Sequence, residues 1–159
     1  MSIVHGDLKG HNILVDATQE VAKICDFGSS TIVCDCTHDT QEKEGSLWWD
    51  SPELYEDDDA YNRRTTASDI WALGCVAVEL QTGKMPYDTN NLAWVTGYLF
   101  NGQLPAQLEW FHEYCPPIAK RLWEILNECW QREPDGRPAA GELLQWFRTL
   151  EAAPDTTIF

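Results

Sequence analysis

Four polar residues near the start of the chain, Asp7, Lys9, Asn12 and Asp26, are the first candidates for chemistry. A carboxylate can accept a proton, and an ammonium group can neutralise a nearby negative charge. Carboxylate and amide oxygens together suit a hard divalent cation such as Mg²⁺. Asp7, Lys9 and Asn12 are close neighbours in the sequence, whereas Asp26 must be brought to them by the fold.

A predicted β-hairpin brings Asp26 close to Asn12. Two short apolar segments with β-branched residues, 13–15 and 21–25, flank the polar turn 16–20. Paired antiparallel strands lie about 5 Å apart, so closing the hairpin brings its two outer ends together. Asn12 and Asp26 are therefore expected to be neighbours in space.

The later part of the chain is predicted to be helical, with one buried helix at its centre. Residues 68–82 form the strongest predicted helix, with Ser68 as its N-cap and Gly83 at its end. This helix is apolar on nearly every face, which is typical of a buried helix. Three further helices are predicted over 91–101, 117–130 and 139–152. Residues 26–53 show no regular pattern, which favours a long functional loop.

The composition argues against two classes of function. The net charge is -15, so binding to nucleic-acid phosphates is not expected. The sequence has no run of 18 apolar residues and no basic stretch followed by an apolar block, so neither a membrane span nor a secretory signal is expected. A cytoplasmic or nuclear location follows as the expectation.

Five motifs together resemble those of eukaryotic protein kinases. They match the catalytic loop, the magnesium-binding motif, the end of the activation segment, the buried central helix and the late arginine motif. In that order they read HGDLKGHN at 5–12, DFG at 26–28, SPE at 51–53, SDIWALG at 68–74 and RP at 137–138. Their order and spacing are similar to those of the family. The residues of the catalytic-loop motif resemble those of the tyrosine-kinase-like branch of serine/threonine kinases.

The resemblance implies a role for each of the four residues at the start of the chain. Asp7 would orient the substrate hydroxyl and accept its proton, and Lys9 would place a positive charge beside the transferring phosphoryl group. Asn12 and Asp26 would bind the Mg²⁺ that accompanies ATP. The implied cofactors are therefore ATP and Mg²⁺.

Five further residues are expected to support the site. By resemblance, His5 would brace the catalytic loop and Asp69 would cap or tie down its backbone. Glu53 and Arg137 would form a buried ion pair between the activation segment and the helical base. Gly28 would supply a backbone able to take φ > 0 where the activation segment starts.

The resemblance also bears on the substrate. Lys9 is typical of the serine/threonine kinases, and the pattern Gly45-Ser46-(x)2-Trp49 resembles the Gly-Thr-x-x-Trp of that class. Serine or threonine in a protein is therefore the expected acceptor, with Ser46, Trp49 and Asp50 as substrate-facing candidates. Asp50 stands where the family has a hydrophobic residue, and it could favour basic substrates or point to solvent.

Two departures from the family affect what can be expected of the chain. Gly6 stands where the family usually has an arginine that grips a phosphate on the activation segment, so we expect any activity not to depend on that contact. The family's glycine-rich loop, strand lysine and helix glutamate are not found in these 159 residues. The expected fold is therefore mainly α with a small β-hairpin, the C-terminal lobe of the protein-kinase-like fold with the N-terminal lobe absent or supplied separately.

The expected domain layout is a partial protein kinase domain over 1–152, with the activation segment at 26–53 and a tail at 153–159. Two alternatives to an active kinase stay open: a catalytically inactive, pseudokinase-like binding module, and a truncated gene product. The cluster of Cys34, Cys36 and His38 is open to a zinc interpretation or to a loop of free thiols, and a single cluster without a second ligand pair favours the thiols.

Overall fold

Five α-helices and two antiparallel strand pairs make up the part of the chain that the computed structural model describes, residues 2–33, 46–55, 63–114 and 117–151. The strands are β1 (Ser2–Val4), β2 (Ile13–Asp16), β3 (Val21–Ile24) and β4 (Thr31–Val33). The helices are α1 (Thr66–Thr82), α2 (Leu92–Phe100), α3 (Leu108–Tyr114), α4 (Ala119–Cys129) and α5 (Ala140–Glu151). The architecture is mainly α, as predicted. No helix in these ranges is long and apolar enough to cross a membrane.

The hairpin of β2 and β3 confirms the predicted strand pairing. Ile13 lies opposite Ile24, and beyond this pair the Cys25 amide donates a hydrogen bond to the Asn12 carbonyl oxygen at 2.9 Å. Asp26 is the next residue along the chain. It therefore leaves the hairpin at the end where Asn12 enters it.

A second strand pair, between β1 and β4, was not predicted. Val4 lies opposite Thr31, and Ile3 lies opposite Ile32. Each strand has only three residues, too few for an alternating pattern to be recognised in the sequence. Segment 26–53 was predicted to be irregular, but it begins with a 3-10 turn at Phe27–Ser29 and continues into β4. The chain after Asp26 consequently runs back beside the chain that leads into His5.

Helix α1 is the central element of the described helices, and it packs against α3, α4 and β1. It begins at Thr66 because Thr65 and Ser68 cap each other's backbone amides, so the prediction of Ser68 as the N-cap was wrong by one turn. Gly83, with φ of 67°, ends the helix as predicted. Burial is extensive but not complete, because Leu80 is 69% exposed on one face.

The remaining helices agree with the sequence except for α3. The bounds of α2, α4 and α5 lie within two residues of the predicted ones. Helix α3 was missed, because its seven residues are too short for a periodic pattern and include aromatic residues of modest helix propensity. Its Phe111 is fully buried, so packing against its neighbours stabilises this helix.

A buried ion pair connects the end of segment 46–55 to the chain just before α5. Arg137 donates from both terminal nitrogens to the two carboxylate oxygens of Glu53, at 2.7 Å each. Glu53 is 4% exposed and Arg137 is 8% exposed. The pair that the sequence led us to expect is therefore present, with the bidentate geometry that makes such pairs strong.

Replacing Glu53 by glutamine should lower the free energy of unfolding by about 3–5 kcal/mol, because the buried Arg137 charge would lose its partner. Urea unfolding with linear extrapolation measures this change. The matched control is Asp88→Asn, which breaks the exposed pair of Lys84 and Asp88 at 2.9 Å. The control should cost less than about 1 kcal/mol, and equal losses in the two variants would contradict the prediction.

Candidate functional site

The loop of residues 5–12, here called loop 5–12, connects β1 to β2 and is held by a side chain of α1. The Asp69 carboxylate accepts hydrogen bonds from the backbone amides of His5 at 2.6 Å and Gly6 at 2.9 Å. Burial raises the pKa of Asp69, and the two backbone hydrogen bonds counteract part of that rise. Asp69 thus ties the loop backbone to α1.

A second carboxylate of α1, that of Glu79, contacts both loop 5–12 and segment 46–55. Its Oε2 accepts hydrogen bonds from the Gly10 amide at 2.9 Å and from Trp49 Nε1 at 2.7 Å. Glu79 was not among the predicted site residues. A carboxylate inside an otherwise apolar helix needs a partner, and this is the sequence signal that could have identified it.

Four polar side chains form a hydrogen-bonded cluster where loop 5–12 meets segment 46–55. Lys9 Nζ donates to Asp7 Oδ2 and to Ser46 Oγ, both at 2.8 Å. Ser46 Oγ donates to Asp7 Oδ1 at 3.0 Å. Asn12 Nδ2 donates to the Asp7 carbonyl oxygen at 2.7 Å and to Asp7 Oδ2 at 3.2 Å. The Asp7 carboxylate is therefore oriented by donors from both segments.

This cluster favours the ionised form of Asp7. Partial burial raises the pKa of Asp7, but the hydrogen bonds from Lys9, Ser46 and Asn12 outweigh it and bring the pKa below its ordinary value of 3.8. The Ser46 hydroxyl donates to this carboxylate and accepts from the Lys9 ammonium group. An alcohol held in this way can lose its proton to Asp7 while Lys9 neutralises negative charge beside it.

Asn12 and Asp26 carry oxygen atoms suited to a divalent cation. The amide nitrogen of Asn12 is used on Asp7, which leaves Oδ1 as the atom directed elsewhere. Asp26 is exposed, and its Oδ1 accepts a hydrogen bond from the Gly28 amide at 3.3 Å. Mg²⁺ usually binds to one or two protein oxygens and completes its shell with water and phosphate oxygens. The donor set therefore fits Mg²⁺ together with a phosphorylated ligand.

His5 braces the junction between loop 5–12 and the hairpin. Its Nδ1 accepts a hydrogen bond from the Asp7 amide at 3.3 Å, and its Nε2 donates to the Cys25 carbonyl oxygen at 3.0 Å. The edge of one ring meets the face of the other between His5 and Phe27, with centroids 5.1 Å apart. Both ring nitrogens have partners within the fold, which suits a structural role.

The expectation for Gly28 was wrong. The left-handed backbone at this point belongs to Asp26, with φ of 59°, while Gly28 lies inside the turn Phe27–Ser29. Aspartate tolerates this conformation because its short side chain can hydrogen-bond to the local backbone, here to the Gly28 amide.

Two of the three substrate-facing candidates were also placed wrongly. Trp49 is 7% exposed and bonds to Glu79, so it belongs to the core. Asp50 is 4% exposed, and its two oxygens accept from Arg64 Nη1 at 2.8 Å and from the Tyr55 hydroxyl at 2.6 Å. Both side chains can turn inward because Glu79, Arg64 and Tyr55 satisfy their polar atoms. Ser46 alone of the three lies at the polar cluster.

Gly6 occupies a position that demands glycine. Its φ is 79°, and a Cβ atom added to it would lie 2.6 Å from the Ser29 carbonyl oxygen. It would also lie 3.1 Å from Arg64 Cδ. The absence of a side chain at this position therefore lets both neighbours approach loop 5–12.

The Cys34, Cys36 and His38 cluster lies outside the described residues, as do Gly45 and residues 152–159. Within the described ranges, no group of three or more His, Cys, Asp and Glu side chains could hold a metal ion.

Comparison with known proteins shows which family the chain resembles. The family model described as "Protein kinase domain" matches residues 1–147. The chain is 31% identical over 144 residues to mitogen-activated protein kinase kinase kinase A of Dictyostelium discoideum, covering 91% of this chain and 14% of that protein. It is also 31% identical over 150 residues to tyrosine-protein kinase csk-1 of Caenorhabditis elegans, covering 93% of this chain and 25% of that protein.

The chain belongs to the protein kinase family, because the family model covers nearly all of it. It spans only 14% and 25% of the lengths of these two curated relatives. One of them is named a tyrosine kinase, so the relatives agree on the family but do not share one named acceptor.

Replacing Ser46 by alanine should raise the pKa of Asp7 towards its ordinary value of 3.8, because one lowering hydrogen bond is lost. Ionised Asp7 stabilises the fold above this ordinary pKa, and the contribution disappears as the pH falls through the depressed pKa. The variant should therefore lose part of this pH-dependent stability. Carboxyl-carbon NMR titration measures the pKa directly.

The matched control for that titration is Thr18→Ala. Thr18 Oγ1 donates to Asp16 at 2.7 Å in the exposed hairpin turn, and this hydrogen bond lowers the pKa of Asp16. The control should raise the pKa of Asp16 and leave that of Asp7 unchanged. An unchanged Asp7 pKa in Ser46→Ala would show that the Ser46 contact does not form in solution.

Replacing Gly6 by alanine should destabilise the fold by at least about 1–2 kcal/mol, because a left-handed backbone is unfavourable for residues with a Cβ. The contact with the Ser29 carbonyl oxygen adds to this cost. Gly97→Ala, in the interior of α2 with open space around the added methyl group, should instead stabilise by about 0.5–1 kcal/mol. Thermal unfolding of both variants measures the contrast, and effects of the same sign would refute the prediction.

Proposed function

We propose that this chain carries the catalytic residues of a protein serine/threonine kinase that uses ATP and Mg²⁺. The observation that supports this most is the position of the Ser46 hydroxyl, which is hydrogen-bonded to Asp7 at 3.0 Å and to Lys9 at 2.8 Å. An acceptor hydroxyl in the same position would meet a base and a cation together. Those are the two groups that transfer of a phosphoryl group to an alcohol requires of the protein.

Each polar residue of the cluster has a role in this proposal. Asp7 orients the acceptor hydroxyl and takes its proton, and its depressed pKa keeps it ionised for that task. Lys9 neutralises negative charge that develops beside the acceptor oxygen. Ser46 holds Asp7 and Lys9 in their relative positions. Asn12 Oδ1 and the Asp26 carboxylate would hold Mg²⁺, which when bound neutralises the phosphate oxygens of the nucleotide.

The preference for serine and threonine rests on Lys9 and Ser46. Lys9 Nζ lies 2.8 Å from Asp7 Oδ2, so the space beside the base is occupied by a cation. A short alcohol reaches this position without displacing Lys9, as Ser46 itself does. Because one of the two relatives is a tyrosine kinase, the acceptor must be tested directly.

The proposed layout is a partial kinase domain over residues 1–152, with 153–159 as a tail. The match of the family model over 1–147 supports the extent of this domain. The activity of the whole protein, its substrates and any separate N-terminal lobe belong to the proposal.

Replacing Asp7 by asparagine should lower phosphate transfer by about 10²–10⁴-fold, because the positioned proton acceptor is lost. The assay uses radiolabelled ATP and Mg²⁺ with three matched acceptor peptides that differ only in carrying serine, threonine or tyrosine. Incorporation into the serine and threonine peptides, and little into the tyrosine peptide, is the expected result.

Asp135→Asn is the matched control, since Asp135 is an exposed residue in the turn Pro134–Gly136. The control should transfer phosphate like the unaltered chain. Labelling that persists in Asp7→Asn would refute the role of Asp7. Transfer to tyrosine alone would overturn the acceptor assignment. No transfer to any acceptor by the unaltered chain would favour the kinase-like binding module.

A further inference from the structure

Asp50 is a buried carboxylate whose two oxygens both have protein partners. It lies in segment 46–55 between Trp49 and Ser51, and it is 4% exposed. Oδ1 accepts a hydrogen bond from Arg64 Nη1 at 2.8 Å, and Oδ2 accepts one from the Tyr55 hydroxyl at 2.6 Å. A carboxylate this deeply buried is stable in its charged form only when a cation accompanies it. Arg64 is the cation in contact with it.

Arg64 reaches Asp50 from the residues that lead into α1 and passes beside loop 5–12. It directly precedes Thr65, the N-cap of α1. Its Cδ lies 3.1 Å from the point where a Cβ on Gly6 would be. The aliphatic stem of Arg64 therefore covers the backbone of loop 5–12 at the one residue whose missing side chain makes room for it.

The charge of Arg64 acts on loop 5–12 as well as on Asp50. Asp7 is one of the negative groups that raise the pKa of Arg64, and Arg64 in turn helps to lower that of Asp69. Gly6, Asp7, Asp50, Arg64 and Asp69 line one small cavity between the loop and the end of segment 46–55. Three acidic residues and one arginine thus line the same cavity, and Asp50 is the acidic residue in contact with the arginine.

We propose that Arg64 is a positioning residue for Asp7. By pairing with Asp50, Arg64 fastens segment 46–55 over loop 5–12 at Gly6, and this holds Asp7 in place. The inference rests on the proposed function for its effect on phosphate transfer, but its structural part can be tested without any transfer. The ion pair is built from side chains that the chain always carries. Loop 5–12 is therefore held in place without an added phosphate.

The pair of Glu53 and Arg137 serves a different purpose. It fastens the same segment to Arg137, which lies before α5 and also donates to the Ala67 carbonyl oxygen of α1. Because that bidentate pair holds segment 46–55 on the helices, loss of the contact between Asp50 and Arg64 should loosen loop 5–12 without releasing the segment. This difference allows the two pairs to be separated by experiment.

The test uses Arg64→Met, Arg64→Lys and the double variant Asp50→Leu/Arg64→Met. Arg64→Met removes the charge and strands Asp50, and Arg64→Lys keeps the charge. The double variant removes both charges, which buried ion pairs often tolerate without loss of stability. Lys84→Met is the matched control, because it removes a cation from the pair with Asp88, and neither residue of that pair lines the cavity.

Two readouts are measured on each variant. The first is amide hydrogen exchange at Gly6 and Asp7 in the absence of nucleotide, and the second is kcat and KM for peptide phosphorylation. In Arg64→Met and in the double variant, exchange should become about ten-fold faster and kcat about ten-fold lower, typical of coupling between neighbouring groups. The KM for ATP should be unchanged, Arg64→Lys should retain most of both properties, and Lys84→Met should match the unaltered chain.

Unchanged exchange and unchanged kcat in a folded double variant would overturn the inference. Loss of cooperative folding in both Arg64→Met and the double variant would overturn it too, since the pair would then serve folding alone. If exchange responds as expected but the unaltered chain transfers no phosphate, the proposed function fails and the positioning of loop 5–12 by Arg64 stands.

Discussion

The site depends on α1 being a buried helix that carries two carboxylates. Asp69 and Glu79 are ten positions apart, which corresponds to about 15 Å along a helix. Asp69 holds the backbone at His5 and Gly6, and Glu79 holds the backbone at Gly10. A loop fastened at two points to a rigid, packed element has little freedom to move. Asp7 and Lys9 lie between those two points, so their backbone is held in place, as a functional site requires.

The second constraint is that the two buried carboxylates of segment 46–55, those of Asp50 and Glu53, are each paired with an arginine. Glu53 has Arg137, and Asp50 has Arg64 and Tyr55. Arg64 and Arg137 lie 14 and 84 positions after their carboxylates, whereas Tyr55 belongs to the same segment as Asp50. An unpaired charge in the interior would be costly. The ion pairs that stabilise segment 46–55 therefore also help to place Ser46 where it hydrogen-bonds to Asp7.

The polar cluster of Asp7, Lys9, Asn12 and Ser46 forms where loop 5–12, held by α1, meets segment 46–55, held by the ion pairs. Loop 5–12 supplies Asp7, Lys9 and Asn12, while segment 46–55 supplies Ser46. A carboxylate with donors on both oxygens is oriented and ionised, but it can still exchange one donor for an incoming hydroxyl. In the proposed function, this exchange allows a mainly structural hydrogen-bond network to present a base to a substrate.

The sequence by itself determined the positions of the chemical groups and the local elements. The resemblance of five motifs to those of protein kinases predicted Asp7, Lys9, Asn12 and Asp26 as one site, and the strand pattern predicted the hairpin that has Asn12 and Asp26 at its outer ends. The motifs are short and contiguous and the hairpin has a local pattern, so both can be recognised directly in a sequence. The tertiary structure alone decided that Trp49 and Asp50 turn inward, that β1 pairs with β4, that Glu79 accepts from the Gly10 amide, and that Arg64 pairs with Asp50. These outcomes follow from contacts between residues far apart in the chain, where burial forces each charge and polar group to find a partner that no local pattern reveals.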